Sequence, residues 1–346
     1  MKLIKSILHF FIFLILSLGL FLSHHQSLNG REKIQDDDAL SGTFDIKWLG
    51  KISTGKDLNQ EKGFFKKVFE FVAGEDFSGL VKPVNLIALD TSTFIVADQG
   101  VQFPVLINKS SGRIDYIKDN EEYYPSLVGI CNGKDGKIYF TDSKNNKIYV
   151  LNSDDDEPKV LNDSLVLNQP TGIAYSNVND EIWVSETANH LIVVLDSKGN
   201  VKRMTGKRGT APGEFNFPTY IWIDSNDKVY VVDAMNFRIQ ILSNNGDVLS
   251  VFGETGNATG FLASPKGIAT DSYGHIYVVD ALFHTVQIFD DKGNFLYYFG
   301  RQGSGDGEFW MPSGIYIDKY DRIYVADSYN SRIQIFQLLK REKNEK

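Results

Sequence analysis

Six acidic residues recur at almost constant intervals, and carboxylates could bind a metal ion or transfer a proton. They are spaced 44, 44, 47, 47 and 47 residues apart, and they are Asp98, Asp142, Glu186, Asp233, Asp280 and Asp327. One calcium ion needs several oxygens that converge on a single point, whereas this pattern gives one carboxylate to each repeat. We therefore interpret these residues as acceptors of turn hydrogen bonds near Asn145, Asn236 and Asn330.

Other metal-binding and nucleophilic residues are sparse. The single cysteine, Cys131, can form no internal disulfide, and the apolar residues before it favour a small buried side chain over a reactive thiol. His190 and His284 occupy the same repeat position two repeats apart, and His275 falls in a turn elsewhere in its repeat. The sequence therefore offers no three-histidine zinc site, and we assign no catalytic residue and no metal ligand.

Short apolar runs position the acidic residues. Runs such as 229–233 and 276–280 end in the acidic residue, a run that begins with proline precedes each one, and further runs follow it. Four short strands per repeat, repeated six times, predict an all-β fold: a six-bladed β-propeller of four-stranded blades. Radial packing against neighbouring blades buries both faces of each sheet.

The repeats resemble the NHL repeat. Residues 265–271, 276–280 and 327–336 match its signature closely, and so do the glycine-rich loops 206–215 and 300–309. The resemblance covers about residues 80 to 340, and the layout is similar to that of exported bacterial six-bladed propeller proteins. It implies that a ligand binds on the face where the blade-to-blade loops and the loops between second and third strands lie.

The same resemblance raises two enzyme hypotheses. NHL-type amidating lyases bind zinc through three histidines near the start of inner strands, but no histidine follows a blade proline here, which disfavours this activity. Lactonase-type propellers hold calcium in the central channel, and Asn85 is the one candidate ligand there. We expect no cofactor, and calcium is the one candidate if a metal binds. We prefer a non-catalytic role, and an enzyme is the alternative.

The chain divides into four parts. Residues 1–22 carry Lys2 and Lys5 before an apolar run and predict a hydrophobic helix that is a signal anchor or a signal peptide. Residues 23–42 predict a linker, residues 43–340 the propeller with its blades at 80–340, and residues 341–346 a charged tail. Residues 43–52 are expected to supply the missing outer strand of the last blade, and 56–79 to form an insertion with a short helix. We expect an exported protein, either anchored in the membrane and facing the periplasm or cell exterior, or secreted after cleavage.

The candidate ligand-binding residues belong to the loop-rich face. They are Tyr220, Trp310, Arg208, Arg301, Lys266, Phe237, His284, His190 and Asn85. Tyr220 and Trp310 break the repeat pattern, and exposed aromatic and arginine side chains are frequent in binding hot spots. The recurring Phe215, Phe261 and Phe309 are interpreted as loop anchors tucked between blades.

These features predict a non-catalytic binding scaffold that recognises a protein, peptide or glycan on this face. The alternative is a calcium-dependent hydrolase, lactonase or lyase that acts in the central channel. The formal net charge of −8 opposes nucleic-acid binding, which favours basic surfaces. We expect a monomeric propeller with the N-terminal segment as its membrane contact.

Overall fold

The computed structural model describes residues 44–54, 57, 79–118, 123–153, 155 and 157–340. These residues form six antiparallel sheets of four strands each, which confirms the all-β six-bladed propeller. The strand order follows the chain in five sheets, whereas the sixth places the first strand of the chain beside the last.

The strands are as follows. The first strand, β1, spans Phe44–Ile52, and blade 1 contains β2 (Pro83–Ala88), β3 (Thr93–Asp98), β4 (Phe103–Asn108) and β5 (Arg113–Tyr116). Blade 2 contains β6 (Leu127–Asn132), β7 (Ile138–Asp142), β8 (Lys147–Leu151) and β9 (Lys159–Val160). Blade 3 contains β10 (Pro170–Ser176), β11 (Glu181–Glu186), β12 (Leu191–Asp196) and β13 (Val201–Thr205). Blade 4 contains β14 (Pro218–Ile223), β15 (Val229–Asp233), β16 (Arg238–Leu242) and β17 (Val248–Phe252). Blade 5 contains β18 (Pro265–Thr270), β19 (Ile276–Asp280), β20 (Thr285–Phe289) and β21 (Phe295–Phe299). Blade 6 contains β22 (Ile315–Ile317), β23 (Arg322–Asp327) and β24 (Arg332–Lys340), and β1 completes it.

The blades surround a central channel. Their first strands, which we call the inner strands, contact one another in cyclic order, and β2 of blade 1 contacts β22 of blade 6. The core lies between blades rather than at one centre, and one apolar cluster joins Leu86 and Val96 of blade 1 to Tyr324 and Ile333 of blade 6. Because neighbours cover both faces of each sheet, middle strands such as β15 are buried along their whole length.

One antiparallel ladder closes the ring. Strand β1 pairs with β24, from Phe44 opposite Lys340 to Ile52 opposite Ile333. The side chains of β1 alternate between partly buried and exposed along most of its length, as expected for an outer strand with one face toward solvent. Opening the ring would expose the unpaired edges of both strands.

Several predicted segments lie outside the described residues. These are the N-terminal hydrophobic helix at 1–22, the linker at 23–42, nearly all of the insertion at 56–79 and the tail at 341–346. In the part of the chain that is described, no helix has the length and apolar character needed to cross a membrane.

Candidate functional site

The antiparallel strand order gives the propeller two distinct faces. Each inner strand begins at the face that carries the blade-to-blade loops and the loops between second and third strands, which we call the loop face. It ends at the opposite face, where the remaining turns lie. The six blades therefore present homologous positions on the loop face that can be compared directly.

The acidic residues organise the loop face. Asp98 accepts a hydrogen bond from the backbone N–H of Val81 at 2.8 Å. Asp327 accepts bonds from the backbone N–H of Trp310 at 2.8 Å and from Asn330 Nδ2 at 2.9 Å. The interpretation of these carboxylates as turn acceptors is confirmed. Among the described residues, no group of three or more His, Cys, Asp and Glu side chains could hold a metal ion.

A second set of bonds joins adjacent blades. The residue after the acidic residue donates its side chain to the carbonyl oxygen of the first residue of the next inner strand, a bond that we call the inter-blade tie. The ties are Gln99 Nε2 to Leu127 at 2.9 Å, Ser143 Oγ to Pro170 at 2.7 Å, Thr187 Oγ1 to Pro218 at 2.6 Å and Ser328 Oγ to Pro83 at 2.6 Å. Blades 4 and 5 carry Ala234 and Ala281 at this position. Because alanine has no side-chain donor, the interface of blades 4 and 5 and that of blades 5 and 6 have no tie.

The two candidate histidines also join blades. His190 Nδ1 accepts from the backbone N–H of Phe217 at 3.0 Å, and His284 Nδ1 accepts from that of Met311 at 3.1 Å. Burial lowers the pKa of both imidazoles below their usual value, which favours the neutral form that can accept a hydrogen bond. Both residues therefore have a structural role at blade interfaces.

Phe237 occupies the equivalent position in blade 4 and provides no acceptor. Blade 2 uses Asn146 there, and its Oδ1 accepts from the backbone N–H of Gln169 at 2.9 Å. Phe237 instead packs, partly buried, against the apolar cluster between blades 4 and 5. This interface has neither a tie nor a side-chain acceptor of this kind, and its two blades are joined by apolar packing and by the bond from Trp222 Nε1 to Thr270 Oγ1 at 2.9 Å.

The prediction that Tyr220 is exposed on the loop face is wrong. Its side chain is 7% exposed, and it reaches from the inner strand of blade 4 across the channel. The hydroxyl donates to the carbonyl oxygen of Val84 in blade 1 at 3.2 Å and lies 2.6 Å from Ser313 Oγ in blade 6. Burial raises the pKa of Tyr220 to about 12, so the hydroxyl keeps its proton at neutral pH. Asn85 borders the channel with it.

The other five blades have a small residue at the position of Tyr220. They are Asn85, Gly129, Gly172, Gly267 and Gly314. A Cβ atom on Gly172 would lie 2.1 Å from the carbonyl oxygen of Thr219. The inner strands approach so closely here that most blades require glycine, and a single large side chain fills the channel at this level.

The candidate basic residues have different surroundings. Arg301 donates from Nε to Glu308 Oε1 at 3.0 Å within its own loop. Arg208 lies close enough to His190 for its charge to lower the pKa of that imidazole, after the larger effect of burial. Lys266 is partly buried, which lowers its pKa, and it forms no ion pair with a described residue. The structure thus brings Arg208 and His190 together, while Arg301 is engaged inside its loop.

The loop anchors agree with the sequence prediction at two positions of three. Phe215 and Phe309 are fully buried, whereas Phe261 is 37% exposed, so its assignment as an anchor is wrong. Leu262 fills that place: it bridges to Thr255 as the two buried phenylalanines bridge to Arg208 and Gln302 in their loops.

The residue two places after the acidic one also differs between the halves of the ring. Blades 1 to 3 carry Gly100, Lys144 and Ala188 there, and blades 4 to 6 carry Met235, Leu282 and Tyr329.

These three large side chains are exposed on consecutive blades. Their exposed fractions are 54% for Met235, 57% for Leu282 and 58% for Tyr329. Trp310, half exposed, lies beside Tyr329 with ring centroids 6.3 Å apart. We call Met235, Leu282, Trp310 and Tyr329 the apolar arc. Sequence reasoning identified only Trp310, although the change of residue type at one repeat position was visible in the sequence.

The comparisons with known proteins agree with this architecture. A family model described as a 6-bladed β-propeller matches residues 160–245 and 264–345. No curated protein matches the sequence.

Several solved structures share the fold. A Bacteroides thetaiotaomicron protein of unknown function aligns at 13% identity and a TM-score of 0.63, over 86% of this chain and 76% of its own. An auxiliary nutrient binding protein from the same species aligns at 14% identity and a TM-score of 0.61, over 86% and 76% of the two chains. Virginiamycin B lyase from Staphylococcus aureus aligns at 15% identity and a TM-score of 0.57, over 86% of this chain and 100% of its own. At these identities the likeness shows the fold alone.

Proposed function

We propose that this propeller is a non-catalytic binding protein that recognises a polypeptide partner through the apolar arc. The observation that carries the proposal is the exposure of Met235, Leu282 and Tyr329 at one homologous position on three consecutive blades. Isolated exposed apolar residues are normal on protein surfaces. Here Trp310 and Tyr329 lie side by side, and Met235 and Leu282 repeat the exposed position of Tyr329 on the two preceding blades of the same face, which favours an interaction site.

The chemistry of the arc suits a protein or peptide. Aromatic side chains and methionine are enriched in protein interfaces, where they provide large contact areas. Lys82 Nζ lies 5.9 Å from the centre of the Tyr329 ring, and the partly buried Lys266 is the second residue of the inner strand of blade 5. These cations favour a partner segment that combines apolar residues with a carboxylate.

We further propose that the repeats are of the NHL type and that the propeller acts outside the cytoplasm. The match of residues 265–271 and 327–336 to the NHL signature supports the first point. The basic residues followed by the apolar run within residues 1–22 support the second. A nutrient-binding neighbour with the same fold is compatible with a binding role.

The alternative, a hydrolase, lactonase or lyase in the central channel, has less support. The neighbour that is a lyase shares the fold at 15% identity. In this chain Tyr220 crosses the channel between blade 4 and blades 1 and 6. A substrate that enters from the loop face would have to displace this buried side chain.

The proposal is tested by removing the arc. A Met235→Ser/Leu282→Ser/Tyr329→Ser variant of the full chain should lose at least about tenfold in the yield of cross-linked partner recovered from intact cells, because hot-spot residues carry most of the binding energy. The matched control is Val178→Ser/Tyr320→Ser, at exposed apolar positions in turns of the opposite face. The control should keep full recovery, and both variants should keep the melting temperature. Equal recovery from both variants would contradict the proposal.

A further inference from the structure

A cavity of about 240 Å³ occupies the end of the channel remote from the loop face. It lies between the second halves of the inner strands, and Tyr220 borders it on the side of the loop face. The exposed Asn177, in the turn after β10, marks its outer rim. The cavity is therefore separate from the apolar arc and is reached from the other face of the propeller.

Differences between homologous residues create this cavity. Blades 4 and 6 place Trp222 and Tyr316 on one side, and their rings meet edge to face with centroids 5.8 Å apart. Blades 2 and 3 place the smaller Cys131 and Ala174 at the equivalent positions, and both line the cavity. The result is a space with Trp222 and Tyr316 on one side, and with Cys131 and Ala174 among larger apolar side chains on the side of blades 2 and 3.

Amide groups with unused hydrogen-bonding capacity face this space. Among the described residues, neither Asn85 Nδ2 nor the side-chain amide of Asn177 has a hydrogen-bond partner. Asn132 Nδ2 reaches the carbonyl oxygen of Ala88 at 3.3 Å and the same side chain bonds the Tyr316 hydroxyl, whereas its Oδ1 accepts no hydrogen bond from a described residue. Trp222 Nε1 is already bonded to Thr270 Oγ1 at 2.9 Å, so its ring contributes surface rather than a donor.

The lining is uncharged. None of the described residues around the cavity is Asp, Glu, Lys, Arg or His. Burial raises the pKa of the Cys131 thiol and that of the Tyr316 hydroxyl, so both stay protonated at neutral pH. A charged ligand would lose its hydration here without a compensating charge, which is strongly unfavourable.

We propose that this cavity binds an uncharged sugar ring. The apolar C–H face of a sugar would lie on the wall formed by Trp222 and Tyr316, and its hydroxyls would bond the amides of Asn85, Asn132 and Asn177. The volume suits a single ring and is below the roughly 300–1,000 Å³ of drug-sized ligand pockets. Neutral hydrogen-bonding groups beside an aromatic surface would orient the sugar ring, and the ring needs no charge to bind.

Isothermal titration calorimetry on the full chain tests the proposal, because it requires no reactive group in the cavity. The protein is titrated with D-glucose, D-galactose or N-acetyl-D-glucosamine, and with the charged counterparts D-glucuronate and D-glucosamine. At least one neutral sugar should bind, and the charged counterparts should bind at least about tenfold more weakly. The proposal is overturned if no neutral sugar binds, or if a charged counterpart binds equally well.

Two variants distinguish binding in the cavity from binding elsewhere. Ala174→Leu fills the cavity and should abolish binding of the sugar, while Ala211→Leu, in an exposed loop, should leave binding unchanged. If Ala174→Leu does not fold, Asn132→Ala replaces it and should weaken binding at least about tenfold. Binding that survives in the folded cavity variant contradicts the proposal. Partner capture by the apolar arc is unaffected by either result, because the arc is on the other face.

Discussion

Four interfaces, those of blades 1 and 2, 2 and 3, 3 and 4, and 6 and 1, differ from the interfaces of blades 4 and 5 and of blades 5 and 6. The former carry a tie from Gln99, Ser143, Thr187 or Ser328. The latter carry Ala234 and Ala281 instead. Blade 4 is bonded across the channel, where Tyr220 reaches blades 1 and 6. Blade 5 is joined to blade 4 by the bond from Trp222 to Thr270 and to blade 6 by His284, and blades 4 to 6 expose the large apolar side chains.

This comparison indicates that one set of residues joins the blades and another set is exposed for binding. At the rim of blades 1 to 3, polar side chains after the acidic residue connect one blade to the next. In blades 4 and 5 alanine replaces these donors, and the residue that follows the alanine presents an apolar side chain to solvent. We infer that Tyr220 compensates for the missing ties and allows the rim of blades 4 to 6 to serve binding.

The largest expected effect comes from removing the bond across the channel. Tyr220→Ala should lower the free energy of unfolding by about 3–5 kcal/mol, as large buried aromatic truncations do. Tyr220→Phe should lower it by about 1 kcal/mol, because Ser313 Oγ loses its partner. Urea unfolding measures both values, and hydrogen exchange should show faster opening in blades 4 and 5. Unchanged stability of Tyr220→Phe would mean that the bond across the channel does not stabilise blades 4 to 6.

Exchanging residues between the two kinds of interface gives a smaller effect. Thr187→Ala removes the tie to Pro218 and should cost about 1 kcal/mol. The reverse change, Ala234→Ser, offers a donor to Pro265 and should stabilise the protein by at most about 1 kcal/mol. If Ala234→Ser destabilises the protein as much as Thr187→Ala, the absence of a tie in blade 4 reflects packing and the comparison fails.

The smallest expected effect concerns pH. Burial lowers the pKa of His284 below the usual value of 6.5, so the unfolded chain takes up the proton at higher pH than the folded chain. The contribution of this group to stability is therefore present above pH 6.5 and is lost as the pH falls toward the folded-state pKa. His284→Asn, which copies Asn146 of blade 2, should unfold at nearly the same temperature near neutral pH and lose less stability on acidification. If the stability of the variant and that of the parent protein depend identically on pH, the His284 imidazole does not contribute to this dependence.

The sequence was sufficient to predict the ring but not the positions of all its side chains. Repeated apolar runs predicted six blades because each strand must bury both faces between neighbours, and the acidic residues were recognised as turn acceptors. Tyr220 was misplaced because an irregular residue in a repeat does not show whether its side chain faces solvent or the channel. The small residues at the equivalent positions, such as Gly172 and Gly267, indicate that the channel is narrow there.

The loops show a second limit of sequence reasoning. Phe261 matches Phe215 and Phe309 in residue type, yet Leu262 has the matching backbone position. A shift of one residue exchanges a buried side chain for an exposed one, and residue type alone does not resolve it. The cavity behind Tyr220 likewise depends on size differences between Ala174, Trp222 and Tyr316 that become meaningful only when the strands are placed side by side.

The most direct test of a binding role for blades 4 to 6 is a scan of one homologous position around the ring. A photoreactive residue replaces in turn Lys144, Ala188, Met235, Leu282 and Tyr329 in the full chain, and adducts are collected from intact cells; Gly100 is kept, because a Cβ atom there would lie 2.4 Å from Val81 Cγ1. The proposed function predicts adducts with the same partner from positions 235, 282 and 329 and none from positions 144 and 188. Adducts distributed equally over all five positions, or confined to blades 2 and 3, would contradict it.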